Sequence, residues 1–159
     1  MQYFDTYDSP LGKIILTCDG KNLTALFFDG QKYANIYLSP GATAWSFPVL
    51  EETKVWLDQY FRGNIPDKLP PMNLAGTPFQ KRVWALLLEL PYGQTLTYGE
   101  LAKKLNCRSA RAVGGAVGRN PISILVPCHR VMGANGKLTG YAGGVPKKEA
   151  LLKLEKIID

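Results

Sequence analysis

With 159 residues, of which 46% are hydrophobic and 20% charged, the chain has the composition of a soluble globular protein made of one domain or two small ones. Its net charge of +6 is uneven, since residues 1–76 hold six Lys or Arg against eight Asp or Glu, whereas residues 77–159 hold thirteen against five. The sequence has neither the apolar run of roughly 18 residues that a membrane span needs nor a basic-then-apolar leader, so we expect a cytoplasmic protein.

Three short strands and a helix are predicted in the amino-terminal half. The β-prone runs Tyr3–Ser9, Lys13–Cys18 and Leu23–Phe28 are separated by turn-forming sequences, as in an antiparallel meander. Residues 47–61 carry large apolar side chains at helical spacing, and Gly63 ends that helix. Its aromatic stripe could line a binding groove, but we interpret it as the face packed against the core.

A proline-rich connector at residues 64–76 marks the predicted domain boundary. We therefore divide the chain into an amino-terminal α/β domain, residues 1–75, and a carboxy-terminal domain, residues 76–159. The second domain is predicted to open with a helix over residues 78–91, because Thr77 is a suitable N-cap and a proline follows it at the first helical position.

Two short helices, residues 98–105 and 108–117, are predicted next and are joined by a tight break at Asn106-Cys107. Because the second helix carries arginines, the pair suggests a helix-turn-helix. The remaining predicted elements are a β-prone run at 122–126, a glycine-rich loop at 133–144 and a terminal helix at 146–158. The predicted fold class is α/β, with a small amino-terminal antiparallel sheet and helix followed by a mainly helical, winged helix-turn-helix-like domain.

The basic carboxy-terminal half predicts a polyanionic partner, and nucleic acid is the leading candidate. A solvated surface that is merely basic would also explain the charge. The three cysteines, Cys18, Cys107 and Cys128, are odd in number and widely spaced, which argues against a disulfide framework. His129 is the only histidine and belongs to no metal-ligand cluster, so we expect neither a metal nor any other cofactor.

Cys128 is the candidate nucleophile because a histidine and an arginine follow it directly. Only a thiolate is a strong nucleophile, and a free thiol has a pKa of about 8.5, so activation requires a nearby base or positive charge. In an extended segment the side chains of Cys128 and His129 would point to opposite faces, so a bend or a bridging water would be needed. Pro127 introduces a kink at this point. Isolated cysteines are usually buried small hydrophobes, which is our interpretation of the other two.

The octet Ile124–Val131, ILVPCHRV, resembles the active-site signature of the O6-alkylguanine-DNA alkyltransferases, also called methylated-DNA–protein-cysteine methyltransferases. The similarity includes the recognition helix at residues 111–117, the hinge at 119–121 and the loop over the substrate pocket at 141–144. It also includes two flanking segments, at residues 76–84 and 148–152. It covers residues 76–155 in order and spacing, whereas the amino-terminal part matches only in length and strand pattern.

The resemblance implies that Cys128 takes an alkyl group from O6-alkylguanine in double-stranded DNA, with O4-alkylthymine as a further candidate substrate. His129 would deprotonate the sulfur through water, with Glu149 orienting the imidazole. Tyr98 would donate a hydrogen bond to the guanine, and Asn120 would hold the hinge and support the cysteine. The pocket would be lined by Val131, Met132, Tyr141, Ala142 and Gly143. Because the product is a thioether, each molecule would act once.

By the same resemblance, the helix-turn-helix would enter the minor groove, and the damaged nucleotide would rotate out of the stack. The DNA-binding residues would be Arg111, Ala112, Gly114, Gly115 and Arg119. A helix face of glycine and alanine can approach a DNA backbone closely, but close helix–helix packing is an equally natural explanation of such glycines. We expect a monomer whose affinity for DNA falls as salt rises.

Without the resemblance, Tyr98 would be a packing residue and Glu149 a residue that favours the helix dipole. Two other functions compete with repair. A non-catalytic alkylated-DNA-binding protein or a transcriptional regulator would share the helix-turn-helix and the charge, but it would lack the reactive cysteine. A Cys-His hydrolase would need a histidine from elsewhere in the fold and an oxyanion hole, whereas the only histidine adjoins Cys128.

Overall fold

The computed structural model describes residues 1–66 and 68–159, so that Asp67, within the predicted connector, lies outside the described residues. The chain divides into two compact units, Met1–Ala75 and Gly76–Asp159. Within the described part of the chain, no helix combines the length and the apolar character that crossing a bilayer requires.

The first unit is a four-stranded sheet with one long helix. Strands β1 (Tyr3–Ser9), β2 (Gly12–Cys18) and β3 (Leu23–Phe28) form the predicted antiparallel meander. Helix α2 (Pro48–Phe61) packs against all three strands. Its buried side chains are Val49, Leu50, Thr53, Leu57 and Tyr60, so its apolar face belongs to the core, as interpreted from the sequence.

Two short elements of this unit were not predicted, a single-turn helix α1 (Ala34–Tyr37) and strand β4 (Thr43–Ala44). Strand β4 pairs with β1 in parallel, and the sheet order is β3-β2-β1-β4, so the sheet is not purely antiparallel. A two-residue strand with both side chains exposed has no hydrophobic alternation that a sequence pattern could show. Only its pairing with β1 identifies it as a strand.

The second unit is mainly helical, and its first three helices begin at side-chain caps. Helix α3 (Pro78–Leu88) starts with a capping box between Thr77 and Gln80, and it ends before the predicted Pro91. Helix α4 (Tyr98–Lys104) starts with a second capping box, between Thr97 and Glu100. Helix α5 (Ala110–Gly118) begins two residues later than predicted, because Ser109 is its N-cap and the Ser109 hydroxyl accepts the backbone N–H of Ala112.

Helices α4 and α5 form the predicted helix-turn-helix, and α5 also packs on α3. Asn106 makes the tight break between them, because its φ of 52° lies in the left-handed region. The indole nitrogen of Trp84 on α3 donates to the carbonyl of Ala116 on α5 at 2.9 Å. This buried bond fixes α5 against the body of the unit.

The rest of the unit consists of a small parallel sheet and the last helix. Strand β5 (Leu96–Thr97) pairs with β6 (Val131–Met132). A single turn of 3-10 helix at Ala134–Gly136 precedes α6 (Val145–Leu154), which is shorter than the predicted terminal helix.

The prediction of a β-prone run at residues 122–126 was wrong, because the segment is a compact turn. The amide of Val126 donates to the carbonyl of Ile122 at 3.1 Å, and Ile124 has a φ of 71°. Residues 121–133 are all buried, so this turn is covered on every side. A short apolar run that is buried on both faces has the same composition as a core strand. Its hydrophobic periodicity therefore does not distinguish a buried turn from a buried strand.

Candidate active site

Cys128 lies in a single turn of 3-10 helix, Cys128–Arg130, that begins after Pro127. The amide of Arg130 donates to the carbonyl of Pro127 at 3.0 Å, which closes the turn. The bend considered from the sequence is therefore present, and Cys128 and His129 are not on opposite faces of an extended strand. Cys128 is 5% exposed and His129 is fully buried.

The environment of the Cys128 sulfur contains opposing influences on its ionisation. Burial raises the pKa of the thiol above its ordinary value. The side chain of Asn120, the charge of Lys148 and the backbone N–H groups at the start of the turn act in the other direction and lower this pKa. The sulfur is therefore almost completely buried, yet it has hydrogen-bonding groups and one cation nearby.

Asn120, just after the end of α5, is buried and uses both ends of its amide. Its Nδ2 donates to the carbonyl of Val126 at 2.8 Å, and its Oδ1 accepts the amide of Ile122 at 3.0 Å. These two bonds hold the turn that leads into Cys128. Asn120 thus connects the end of the helix-turn-helix to the segment that carries the sulfur.

Behind Cys128, His129 belongs to a buried network with Glu155 and Arg130. The imidazole Nε2 lies 2.6 Å from one carboxylate oxygen of Glu155, and the Nε of Arg130 donates to the other at 2.7 Å. These partners outweigh burial and hold the pKa of Glu155 at about 2, whereas burial lowers the pKa of His129. At neutral pH, His129 is therefore neutral and donates its Nε2 proton to an ionised Glu155.

The second imidazole nitrogen, Nδ1, is left as an acceptor by this arrangement. It is buried and has no hydrogen-bond partner within the part of the chain that the structure describes. A neutral imidazole with an occupied Nε2 and an available Nδ1 can take up a proton from a neighbouring group.

The prediction that Glu149 orients the imidazole was wrong, since Glu155 occupies that position. The carboxylate of Glu149 is 45% exposed and lies 3.2 Å from the ammonium of Lys153, in an ordinary i, i+4 pair along α6. Glu155 directly follows the last residue of α6, and this helix contacts the 3-10 turn that carries His129. Sequence reasoning gave no reason to prefer it, because neither residue stands next to the histidine in sequence.

The predicted pocket residues lie on β6 and on the loop that precedes α6. Val131 and Met132 are buried, whereas Tyr141, Ala142 and Gly143 are partly exposed. Burial and then the nearby Cys128 raise the pKa of Tyr141 well above its ordinary value, and the pKa of Tyr98 is raised by the same two causes. Both phenols therefore stay protonated and can donate hydrogen bonds beside the sulfur.

Lys148 is a member of this site that we did not predict. It is fully buried, and its ammonium donates to the carbonyl groups of Val131, Thr139 and Gly140. Lysine is seldom buried, and this one stands beside a second lysine at the start of a helix. No local signal distinguishes it from a surface residue.

The predicted DNA-binding residues lie on α5 and just after it. Arg111, Ala112, Gly115 and Arg119 are exposed, and Gly114 is half-buried. Apart from its own helix backbone and chain neighbours, a Cβ atom added at Gly114 or Gly115 would meet no described atom within 4 Å. Packing of α5 against another described element of the second unit therefore does not explain these glycines, and the face they form is open to an external partner.

Two protein-family models match this sequence. Residues 78–157 match the family model described as 6-O-methylguanine DNA methyltransferase, DNA binding domain, and residues 2–69 match that described as 6-O-methylguanine DNA methyltransferase, ribonuclease-like domain. The chain belongs to the 6-O-methylguanine DNA methyltransferase family. The two matches lie in the two compact units, one in each.

Curated relatives and solved structures of this methyltransferase family are similar over almost the whole chain. A methylated-DNA–protein-cysteine methyltransferase of Mycobacterium tuberculosis is 46% identical, with 98% of this chain and 93% of the relative covered. One of Methanosarcina acetivorans is 47% identical, with 96% and 97% covered. The crystal structure of Mycobacterium tuberculosis OGT in complex with DNA superposes with a TM-score of 0.88 at 44% identity, covering 97% of this chain and 92% of that one.

Proposed function

We propose that this protein repairs alkylated DNA directly by moving an alkyl group from the O6 atom of guanine to the sulfur of Cys128. The observation that carries the proposal is the surroundings of that sulfur. A buried thiol, a neutral imidazole with an available Nδ1 and two protonated phenols meet at one site. The relatives named as methylated-DNA–protein-cysteine methyltransferases support the same reaction.

The reaction begins with loss of the Cys128 proton. A water molecule between the sulfur and Nδ1 of His129 carries that proton to the imidazole, and the ionised Glu155 stabilises the imidazolium that forms. The negative charge of Glu155 is held in place by Arg130, which donates to its other oxygen. This arrangement has the parts of a hydrolytic triad, but here it prepares a nucleophile for a single reaction.

The thiolate then attacks the alkyl carbon in line with the bond to O6. A carbon–sulfur bond forms, the carbon–O6 bond breaks, and its electron pair passes to the guanine. Tyr98 donates a hydrogen bond to the departing base. The base gains one proton and the imidazolium gives up the one it took from Cys128, so guanine leaves neutral and His129 is neutral again. The sum is one thiol and one alkylated guanine converted to one thioether and one guanine.

The thioether is not cleaved and the free thiol of Cys128 is not regenerated, so each protein molecule repairs one lesion. We also propose that the protein acts as a monomer and without a metal or another cofactor, since the steps above use only side chains of one chain, a water molecule and the lesion. We further propose that the protein acts in the cytoplasm.

Recognition of DNA is assigned to α5 in this proposal. Its open glycine face lies against the sugar–phosphate backbone of the minor groove, and Arg111 fills the space that the rotated nucleotide leaves. Rotation is required because the alkyl group inside a duplex is out of reach of a buried sulfur. The excess of basic residues in 77–159 supplies the attraction to phosphate, which weakens as salt rises.

The proposal is tested by incubating the protein with duplex DNA that carries one O6-methylguanine and weighing the peptide that contains Cys128. We expect a gain of one methylene on that peptide, in a stoichiometry of one per protein. The Cys128→Ala variant should bind the same duplex and gain nothing. Lesion binding with an unchanged mass of the wild-type peptide would favour the non-catalytic sensor instead.

A further inference from the structure

The buried carboxylate of Glu155 has one more hydrogen-bond donor than the reaction described above uses. Besides the Nε of Arg130, its Oε1 accepts the backbone N–H of Gly93 at 3.2 Å. Its Oε2 lies 2.6 Å from the Nε2 of His129. A carboxylate that is bonded through both oxygens cannot rotate without losing partners. The Gly93 amide therefore helps to decide where Oε2 lies relative to the imidazole.

The same chain segment, residues 90–93, also holds the arginine of this network. The Nη1 of Arg130 donates to the carbonyl of Leu90 at 3.1 Å. The guanidinium carbon lies 5.6 Å from the centroid of the Tyr92 ring, within the range of a cation–π contact. One segment thus contacts both members of the ion pair between Arg130 and Glu155. Both members are buried, whereas the segment itself is partly or fully exposed.

Gly93 makes its bond to Glu155 because of its backbone conformation. The amide of Gln94 donates to the carbonyl of Pro91 at 3.2 Å, which closes a β-turn. Gly93 is the third residue of that turn and has a φ of 81°, the value typical of a type II turn. In a type I turn the peptide group between the two central residues faces the opposite way, so this N–H would point away from the carboxylate.

The need for glycine at this position is conformational. A Cβ added at Gly93 would lie 4.0 Å from the backbone oxygen of Glu155, which is an ordinary contact. A side chain therefore has room, but few residues other than glycine and asparagine adopt a left-handed φ, and β-branched residues are the least suited to it.

We propose that Gly93 is a positioning residue for alkyl transfer, whose N–H fixes the Glu155 carboxylate against the imidazole of His129. The inference rests on the proposed function and adds to it the element that keeps this carboxylate in place. A carboxylate displaced from Nε2 neither selects the tautomer with an available Nδ1 nor stabilises the imidazolium. Methyl transfer should therefore depend on a residue that takes no part in the proton and alkyl transfers themselves.

The first experiment observes the imidazole by NMR of protein labelled with nitrogen-15 at histidine. His129 is the only histidine of the chain, so its ring signals are unambiguous. Its Nε2 proton is bonded to Glu155 and should give a signal far downfield that exchanges slowly with water. The spectrum thus reports the position of the carboxylate directly, at one fixed pH of 7.

Three variants are compared with the wild type. Gly93→Val disfavours the left-handed φ, whereas Gly93→Asn tolerates it, and the two new side chains are of comparable size. Gly63→Val is the matched control for strain, because Gly63 has a φ of 84° but lies in the first unit. A Cβ at Gly63 would meet no described atom within 4 Å outside its chain neighbours.

We expect Gly93→Val to move the Nε2 proton signal of His129 upfield and to hasten its exchange with water. Gly93→Asn should keep the wild-type signal because it retains the turn, and Gly63→Val should keep it because the strain lies elsewhere. An unchanged signal in folded Gly93→Val overturns the proposal. No DNA is used, so failure of this inference is distinguished from failure of wild-type protein to take a methyl group from DNA.

The second experiment measures the single-turnover rate of methyl transfer at saturating duplex, together with the affinity for that duplex. Gly93→Val should lower the rate about tenfold or more and leave the affinity unchanged. In a Glu155→Gln background the same substitution should have little further effect on the rate, because the carboxylate that Gly93 positions is absent. Equal losses in both backgrounds would show that Gly93 acts only through the stability of the fold, which would contradict the proposal.

A third measurement uses only the wild-type protein. Gly93 is exposed, so an unbonded amide at this position would exchange its hydrogen with water as fast as in an unstructured peptide. The bond to Glu155 should slow this exchange about tenfold or more. Exchange at the unprotected rate would show that the carboxylate does not hold this N–H, and the proposal would be wrong.

Discussion

Replacing Gly114 and Gly115 by alanine should strengthen the fold and weaken DNA binding at the same time. Both residues lie inside α5, where glycine is unfavourable because it loses more backbone freedom on folding than alanine does. Apart from its own helix backbone and chain neighbours, a Cβ at either position would meet no described atom within 4 Å, so the new methyl groups cause no overpacking within the fold. Each substitution should raise the free energy of unfolding by about 0.5–1 kcal/mol.

The two substitutions together should raise the free energy of unfolding by about 1–2 kcal/mol. A chain of this length gains about 2–4 °C in melting temperature for each kcal/mol, so the transition should move upward by several degrees. Binding should move in the opposite direction, because two methyl groups would enter the space that the sugar–phosphate backbone occupies in the proposed complex. Overpacking of this kind costs about 1–3 kcal/mol, so the affinity should fall about tenfold or more.

The assays are thermal unfolding and fluorescence anisotropy with a labelled duplex containing O6-methylguanine, both at one fixed salt concentration. Gly41→Ala is the matched control, because that glycine lies in the first unit and a Cβ added there would also meet no atom within 4 Å. It should leave the affinity unchanged. If the double variant binds DNA as tightly as the wild type, the glycine face of α5 is not the DNA-contacting surface, and the reasoning is refuted.

Glu155→Gln should slow methyl transfer strongly and lower the free energy of unfolding in urea by about 3–5 kcal/mol, since it leaves Arg130 buried without its counter-charge. Glu149→Gln should change the single-turnover rate of methyl transfer by less than about twofold, since it removes only the exposed ion pair with Lys153. Burial lowers the pKa of His129 in the folded protein below its ordinary value of 6.5, which it has in the unfolded chain. The contribution of His129 to the free energy of unfolding is therefore fully present above pH 6.5 and declines as the pH falls below it. Urea unfolding at pH 7, 6 and 5 should show this decline, and His129→Asn should lack it. Asn120→Ala leaves the buried amide of Ile122 without its acceptor and removes one of the two donors to the carbonyl of Val126. It should cost about 1–3 kcal/mol in the same unfolding assay and reduce the transfer rate.

Local features of the sequence account for much of the fold. The capping box at Thr77 and Gln80 involves atoms three residues apart, so its signal is complete within a short segment. The strands Tyr3–Ser9 and Leu23–Phe28 were likewise evident from β-prone residues between turns. The buried run at residues 122–126 was misjudged because its turn depends on Asn120 and on burial from every side, neither of which is written in the run itself.

The sequence by itself determined the family, the cysteine to test and the helix-turn-helix, because each is carried by a contiguous segment or by local periodicity. Only the tertiary structure decided which carboxylate serves His129, since Glu155 is 26 residues away and meets the imidazole through the packing of α6. The same is true of Lys148, whose ammonium reaches carbonyl groups 8 to 17 residues away. Long polar side chains take their partners from three-dimensional packing, and their spacing in sequence does not specify which partners those are.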